Sequence, residues 1–175
     1  ALILFAALPA SAADRAHRPE HVAAAKFPVL AWSASPSSVE GLRLAKEAGL
    51  NVSGFCRIEE LDAVRDAGLT CIVSGTPLEA MVDKPETTDA QISEAVAALA
   101  ARIGAHPAAF GVRLRDEPGA NQLPMLGRLS AALLKAMPSK LPYINLFPNY
   151  ANRQQLRTES YEEYLRAYLN SVKLP

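Results

Sequence analysis

Apolar and polar positions along this chain follow two alternating periods. Compact apolar runs of strand length stand at Phe27 to Ala34, Asn51 to Cys56, Thr70 to Ser74, from Gly111 through Leu114, and Leu141 to Phe147. Between them, apolar residues recur at helical spacing: Val39, Leu42 and Ala45; Leu61, Val64 and Ala67; Ile92, Val96, Leu99 and Ile103; Leu123, Leu126, Leu129 and Leu133. A last stripe of Tyr161, Tyr164, Leu165, Tyr168 and Val172 closes the series. The switch between a short continuous run and a three-to-four-residue repeat marks a strand followed by an amphipathic helix.

The punctuation agrees. Ser37 or Ser38 can cap the first helix, because a serine hydroxyl accepts from the free backbone N–H groups of a first turn. Two units end alike, in Lys46-Glu47-Ala48-Gly49-Leu50 and Arg65-Asp66-Ala67-Gly68-Leu69, each placing a glycine helix stop directly before a strand. His106-Pro107 turns the chain into the fourth strand, and Pro138 ends the fourth helix. The polar stretch from Gly75 to Thr88 reads as an unusually long loop, of the kind that lines a site.

Five strand-helix units whose strands are apolar throughout require a parallel sheet covered by helices, so the fold class is α/β. Two architectures fit. A five-stranded doubly wound sheet would be complete at 175 residues, whereas a (βα)8 TIM barrel takes about 250 and would be represented here by about five units. Ser33-Ala34-Ser35-Pro36 after the first strand has no glycine, which argues against the phosphate-binding loop of the nucleotide-binding doubly wound proteins.

Composition narrows the partner. Eighteen basic and eighteen acidic residues cancel, with no Lys/Arg run, so neither nucleic acid nor an anionic membrane is expected to bind. Residues 1–13 read as an incomplete signal peptide, an apolar run followed by the small residues Ala10-Ser11-Ala12, and imply export to the periplasm or outside the cell. They are too short to span a bilayer, and no transmembrane segment is expected in the mature chain. Residues 14–26 read as a polar linker, and His17 and His21 within it carry no assigned role. The two cysteines, Cys56 and Cys71, fall at the end of one strand and the start of the next. That spacing, at about 3.3 Å per residue, predicts two buried thiols beyond the reach of a disulfide.

The chemistry gathers where strands end. Arg113-Leu114-Arg115-Asp116-Glu117-Pro118 carries an acid pair out of a buried strand, which is costly unless the charges are paired or bind something. Strict alternation puts Arg113, Arg115 and Glu117 on one face and Val112, Leu114 and Asp116 on the other. His106, at the opposite end, is read as structural. The remaining strand ends offer Trp32 and Ser33, Arg57, Ser74, and Asn145 with Asn149 and Tyr150. A ring for the apolar side of a sugar, with amides and hydroxyls for its hydroxyl groups, suits a neutral polyhydroxylated ligand. The tyrosine stripe is read as packing. No metal or cofactor is expected.

Phe27-Pro28-Val29-Leu30-Ala31-Trp32, His106-Pro107, Arg115-Asp116-Glu117-Pro118 and Tyr143-Ile144-Asn145-Leu146-Phe147-Pro148-Asn149-Tyr150 together resemble the amino-terminal half of secreted bacterial glycoside hydrolases. These are barrel proteins of the retaining clan that includes β-galactosidases and cellulases. The resemblance spans Phe27 to Pro175, and residues 27–175 are expected to be the amino-terminal part of such a barrel. In that clan the fourth strand ends in Asn-Glu, often followed by Pro, and the Glu is the general acid/base. Here the match is Asp116-Glu117-Pro118, with Asp where the clan has the Asn that binds the sugar 2-hydroxyl.

The resemblance implies Glu117 as catalytic, and Asp116, Asn145, Trp32, Arg115, Asn149 and Tyr150 as substrate-binding. The mechanism is retention through a covalent glycosyl-enzyme, with a nucleophilic carboxylate about 5 Å from Glu117. The clan places that nucleophile on the seventh strand, so this chain would carry only the acid/base half and be inactive alone. Two alternatives stand beside it: a barrel that binds carbohydrate without cleaving it, and a complete small α/β domain of unrelated function.

Overall fold

A computed structural model describes residues 27–173. The apolar run and polar linker expected over 1–26 lie outside the described residues. In chain order the elements are α1 (Val39–Glu47), β1 (Val52–Cys56), α2 (Leu61–Asp66), β2 (Thr70–Val73), α3 (Pro77–Met81) and α4 (Asp89–Ile103). They continue as β3 (Ala109–Asp116), α5 (Leu123–Ala136), β4 (Leu141–Asn145), α6 (Arg153–Leu156) and α7 (Tyr161–Ser171). Single 3-10 turns at Ile58–Glu60 and Ala120–Gln122 lead into α2 and α5.

Local chemistry accounts for the helix starts. Ser38, Thr88, Asn152 and Ser160 each accept from a backbone N–H of the first turn, and Gln91 and Gln155 answer from the third position to close capping boxes at α4 and α6. The stretch from Gly75 to Thr88 is not the open loop expected. Pro77 starts α3 there, since its fixed φ suits a first helical position, and Glu79 turns back to accept from the N–H of Gly75.

The sheet is parallel, in the order β1-β2-β3-β4. The run from Phe27 to Ala34 touches β1 through two isolated parallel bridges, Leu30 with Val52 and Ala34 with Phe55, instead of a continuous ladder. Neighbours in space are thus neighbours in sequence, and the reversal of strand order that marks a doubly wound sheet is absent among the described strands.

The two sheet faces differ. Cys56, Cys71, Val73, Val112 and Leu114 pack with the buried helical residues, among them Leu42, Val64, Val96, Leu126 and Tyr164. The opposite phase, Val52, Ile72 and Phe110 with Leu30, Phe55 and Tyr143, forms a separate cluster that contains no helical residue among those described. Among the described residues, helices therefore lie on one side of the sheet only. Among the described residues, no helix is long and apolar enough to cross a membrane.

Cys56 and Cys71 form a disulfide, which corrects the reading of two free thiols. Straight pairing from Val52 opposite Thr70 would set Cys56 opposite Ser74, three residues beyond Cys71 and on the other face. An irregularity between Val52 and Phe55 instead sets Cys56 opposite Val73, two residues beyond Cys71 and on the same face. The Cα–Cα distance is 6.2 Å, inside the range of about 4.4–6.8 Å that the bond spans. Gly54 is what permits the irregularity: its φ is +119°, and a Cβ there would stand 2.5 Å from the Ser33 carbonyl oxygen.

Candidate functional site

The carboxyl ends of the strands carry the site. β3 delivers an alternation of Arg113, Leu114, Arg115 and Asp116, but its register with β4 slips: Arg113 pairs with Tyr143, yet Arg115 pairs with Ile144. One extra residue in β3 reverses the phase of everything after it. The expected common face of Arg113, Arg115 and Glu117 is thereby broken. Asp116 rejoins Arg113 on the face away from the helices, while Arg115 and Glu117 turn elsewhere.

Asp116 and Arg113 line a cleft of about 610 Å³ together with Trp32, Phe55, Arg57 and Ser74. Its aromatic wall is Trp32 and Phe55, which meet edge-on at 5.0 Å between ring centroids, and Tyr143 stands behind them at 6.2 Å from Trp32. Trp32 remains 53 % exposed, so the residue keeps surface available to a ligand. The Arg113 guanidinium lies 5.5 Å over the Phe55 ring and bonds Glu79, which balances its charge. Arg57 is matched likewise by Glu60. A cleft whose cations are paired within the protein offers hydrogen bonds more than net charge. Ser35, Ser37 and Ala34 complete the rim at the first strand.

Asn145 ends β4 beside Asp116, and its side-chain amide donates to the Asp116 carboxylate at 2.9 Å. Burial pushes the Tyr143 phenol up from its ordinary value; the Asp116 carboxylate adds to this, and Arg113 opposes it.

Glu117 follows directly. Its backbone N–H bonds the Asn145 carbonyl at 2.8 Å, and its φ is +47°. That left-handed conformation is strained for a residue with a side chain, and such strain persists only where the surroundings enforce it. Here the enforcement comes from both sides: β4 grips the N–H, and the Tyr164 hydroxyl grips the carbonyl of Pro118 at 2.8 Å. The Glu117 side chain is exposed and lines a second cleft, of about 370 Å³, with Gly119, Asn121, Phe147, Gln154 and Arg157.

Trp32, Asp116 and Asn145 are thus brought together, and Glu117 stands one residue away facing the neighbouring cleft. Arg115 lines neither cleft and pairs with Asp83 beyond α3, where Gln122 also donates to the same carboxylate. Asn149 and Tyr150 lie exposed on the turn after β4 and line neither cleft. His106 sits at the amino end of β3, where its Nδ1 accepts from Ala108 and its Nε2 meets Asp62, in keeping with a structural role.

Sequence reasoning missed Phe55, Asn121, Gln154 and Arg157. Phe55 reads as core by pattern, and the other three lie in polar turns without periodicity; only the run of amides at Gln154-Gln155 could have drawn attention. Among the described residues, no group of His, Cys, Asp or Glu side chains is arranged to hold a metal ion. In comparisons with known proteins, no family model, no curated protein and no solved structure matches the chain.

Proposed function

We propose that this chain is the amino-terminal part of an exported (βα)8 glycoside hydrolase-like protein that acts on carbohydrate. The observation that carries the reading is the exit of β3. There Asp116 opens onto a cleft walled by a half-exposed tryptophan, and the next residue, Glu117, holds its carboxylate in the neighbouring cleft on a strained backbone. Strain at a carboxylate on the ligand-binding end of a parallel sheet points to function.

Sequential strand order with helices on a single face supports the barrel, since a barrel winds its helices around one side of the sheet. The Cys56–Cys71 disulfide supports export, because such bonds persist in oxidising compartments. In the proposed reaction Glu117 protonates the leaving glycosidic oxygen and later deprotonates the incoming water. The carboxylate that attacks the anomeric carbon is expected on a strand outside residues 27–173. Trp32 stacks on the sugar ring, and Asp116, oriented by Asn145, accepts from a ring hydroxyl.

A second reading, a barrel that binds carbohydrate without cleaving it, is favoured by one observation: Glu117 and Trp32 face different clefts. The test is turnover of a panel of aryl β-glycosides by the protein in the length at which its host makes it, beside its Glu117→Gln variant. Loss of about 10²–10⁴-fold in turnover on substitution supports the hydrolase. Full turnover in the variant removes Glu117 from the mechanism. Saccharide binding with no turnover favours the second reading, and neither binding nor turnover overturns both.

A further inference from the structure

The wall of the Trp32 cleft hangs on one residue of β1. The segment that carries Trp32 meets β1 through isolated bridges, and the one at the carboxyl end joins Ala34 to Phe55. The residues flanking Ala34 make its bonds: the Phe55 N–H donates to the Ser33 carbonyl at 2.9 Å, and the Ser35 N–H donates to the Phe55 carbonyl at 2.6 Å. The edge-on contact of Trp32 with Phe55 therefore depends on the direction in which Phe55 points. Cys56 is next in the chain, and its carbonyl accepts from the N–H of Ser74, a further residue of the cleft, at 2.8 Å.

Phe55 points toward Trp32 because β1 carries one extra residue. Val52 lies opposite Thr70 and Phe55 opposite Ile72, so three steps along β1 match two along β2. Without that residue Phe55 would lie opposite Val73, whose side chain packs with the helices, and Cys56 opposite Ser74. A slip of one residue turns each later side chain to the other face. It would carry Phe55 away from Trp32 and Cys56 away from Cys71.

Two features bear on the extra residue, in different ways. Gly54, at φ +119°, permits it but does not enforce it, since glycine is as much at ease in other conformations. The Cys56–Cys71 disulfide enforces it, because a slip that sends the two sulfurs to opposite faces of the sheet is incompatible with the bond. The covalent link thus selects between two registers of the same two strands.

We propose that the Cys56–Cys71 bond is a redox-sensitive lock on the Trp32 cleft: oxidised, it keeps β1 in the shifted register and Phe55 against Trp32; reduced, it releases that register and the wall separates. Opening takes two electrons and two protons from a dithiol. One thiolate of the reductant attacks a cysteine sulfur and the Sγ–Sγ bond breaks; its second thiol then closes the reductant's own disulfide, and Cys56 and Cys71 are left as thiols. Closing reverses the exchange with a disulfide oxidant. Cys56 and Cys71 are buried, so the exchange proceeds through local opening at the end of β1. The lock concerns how the cleft is assembled, and it stands whether or not the ligand is a carbohydrate.

The test is NMR spectroscopy of the full chain before and after dithiothreitol, well below the unfolding midpoint. Cysteine Cβ shifts report whether the bond is broken, NOEs between the Phe55 and Trp32 rings report the wall, and backbone NOEs between β1 and β2 report the register. Trp32 is the single tryptophan of the chain, so its ring signals are unambiguous. On reduction the Phe55–Trp32 NOEs and the pairing of Phe55 with Ile72 should be lost, those between β2 and β3 should persist, and reoxidation should restore the first pattern. Cys71→Ala should show the reduced pattern without reductant and no response to dithiothreitol. Free thiols with the Phe55–Trp32 contact intact overturn the lock, as does a bond that dithiothreitol does not break in the folded chain. Loss of the β2–β3 NOEs along with the rest also overturns it, because the bond would then support the whole fold instead of the cleft wall.

Discussion

The hydroxyl of Tyr164 donates a 2.8 Å hydrogen bond to the carbonyl oxygen of Pro118, the residue immediately after the left-handed Glu117. The Tyr164 hydroxyl oxygen in turn accepts from the Phe147 N–H at 3.5 Å, so one side chain on α7 ties the exits of β3 and β4 together. Tyr164 is fully buried, and water cannot replace it. Tyr164→Phe keeps the ring and strips the tie, leaving a buried carbonyl without its donor. The expected loss is about 1–2 kcal/mol of stability in urea unfolding. A variant as stable as the parent would show that the Pro118 carbonyl finds another partner.

Strain at Glu117 has a measurable sign. Glycine adopts φ +47° at no steric cost, so Glu117→Gly should stabilise the fold by about 1 kcal/mol. The control is Glu94→Gly on the exposed face of α4, where ordinary helical geometry makes glycine cost about 1 kcal/mol. Opposite signs for two identical substitutions would locate the strain at the β3 exit. A loss at both positions would argue that Glu117 relaxes in solution.

The disulfide closes a short loop between adjacent strands, with a sequence separation of 15. A loop of that size limits the unfolded chain by about 3 kcal/mol in the chain-entropy model. Replacing both cysteines by alanine should therefore lower the unfolding midpoint substantially, and dithiothreitol should do the same to the parent and nothing further to the variant. Equal midpoints with and without reductant would mean that the bond does not form.

Much of the fold was legible because periodicity and caps are local. Ser38 before α1 and the glycines after α1 and α2 stand where the residue types put them. The site was less legible because it depends on where two strands slip. No residue type announces the extra residue in β3 after Arg113, yet it exchanges the faces of Asp116 and Glu117. The same holds at Gly54, where one irregularity turns Cys56 and Cys71 from opposite faces into bonding distance. Tyr164 illustrates a third limit: its helical spacing reveals a buried face, but only the packed structure shows that its hydroxyl serves the turn after Glu117.

Asp62 gives the fold an acid-sensitive contact at the other end of the sheet. Its hydrogen bond with His106, joined by the nearby Arg65, holds its carboxyl below the ordinary 3.8. A carboxyl depressed in the folded state contributes stability that is fully present above its unfolded value and lost as pH falls through the folded one. The difference in melting temperature between the parent and Asp62→Asn should therefore be present at about pH 5 and shrink as pH falls below about 4. Salt should reduce it, because the pair is exposed. A difference that grows in acid would contradict the sign.

Tyr143 offers a direct reading of which way Asp116 faces. Burial is the main reason its phenol is raised, the Asp116 carboxylate adds to the rise, and Arg113 opposes it. Asp116→Asn removes the charge but keeps an oxygen for the Asn145 amide, so the geometry at the β3 exit is preserved while the field changes. The Tyr143 phenol should then titrate at lower pH than in the parent, whereas Arg113→Met should send it higher. Ultraviolet absorbance titration, taken as the difference from a Tyr143→Phe background, isolates that phenol from the other tyrosines. An unmoved transition in Asp116→Asn would mean that the carboxylate turns away from the Trp32, Phe55 and Tyr143 rings, and with it the basis for placing a sugar hydroxyl between Asp116 and Trp32.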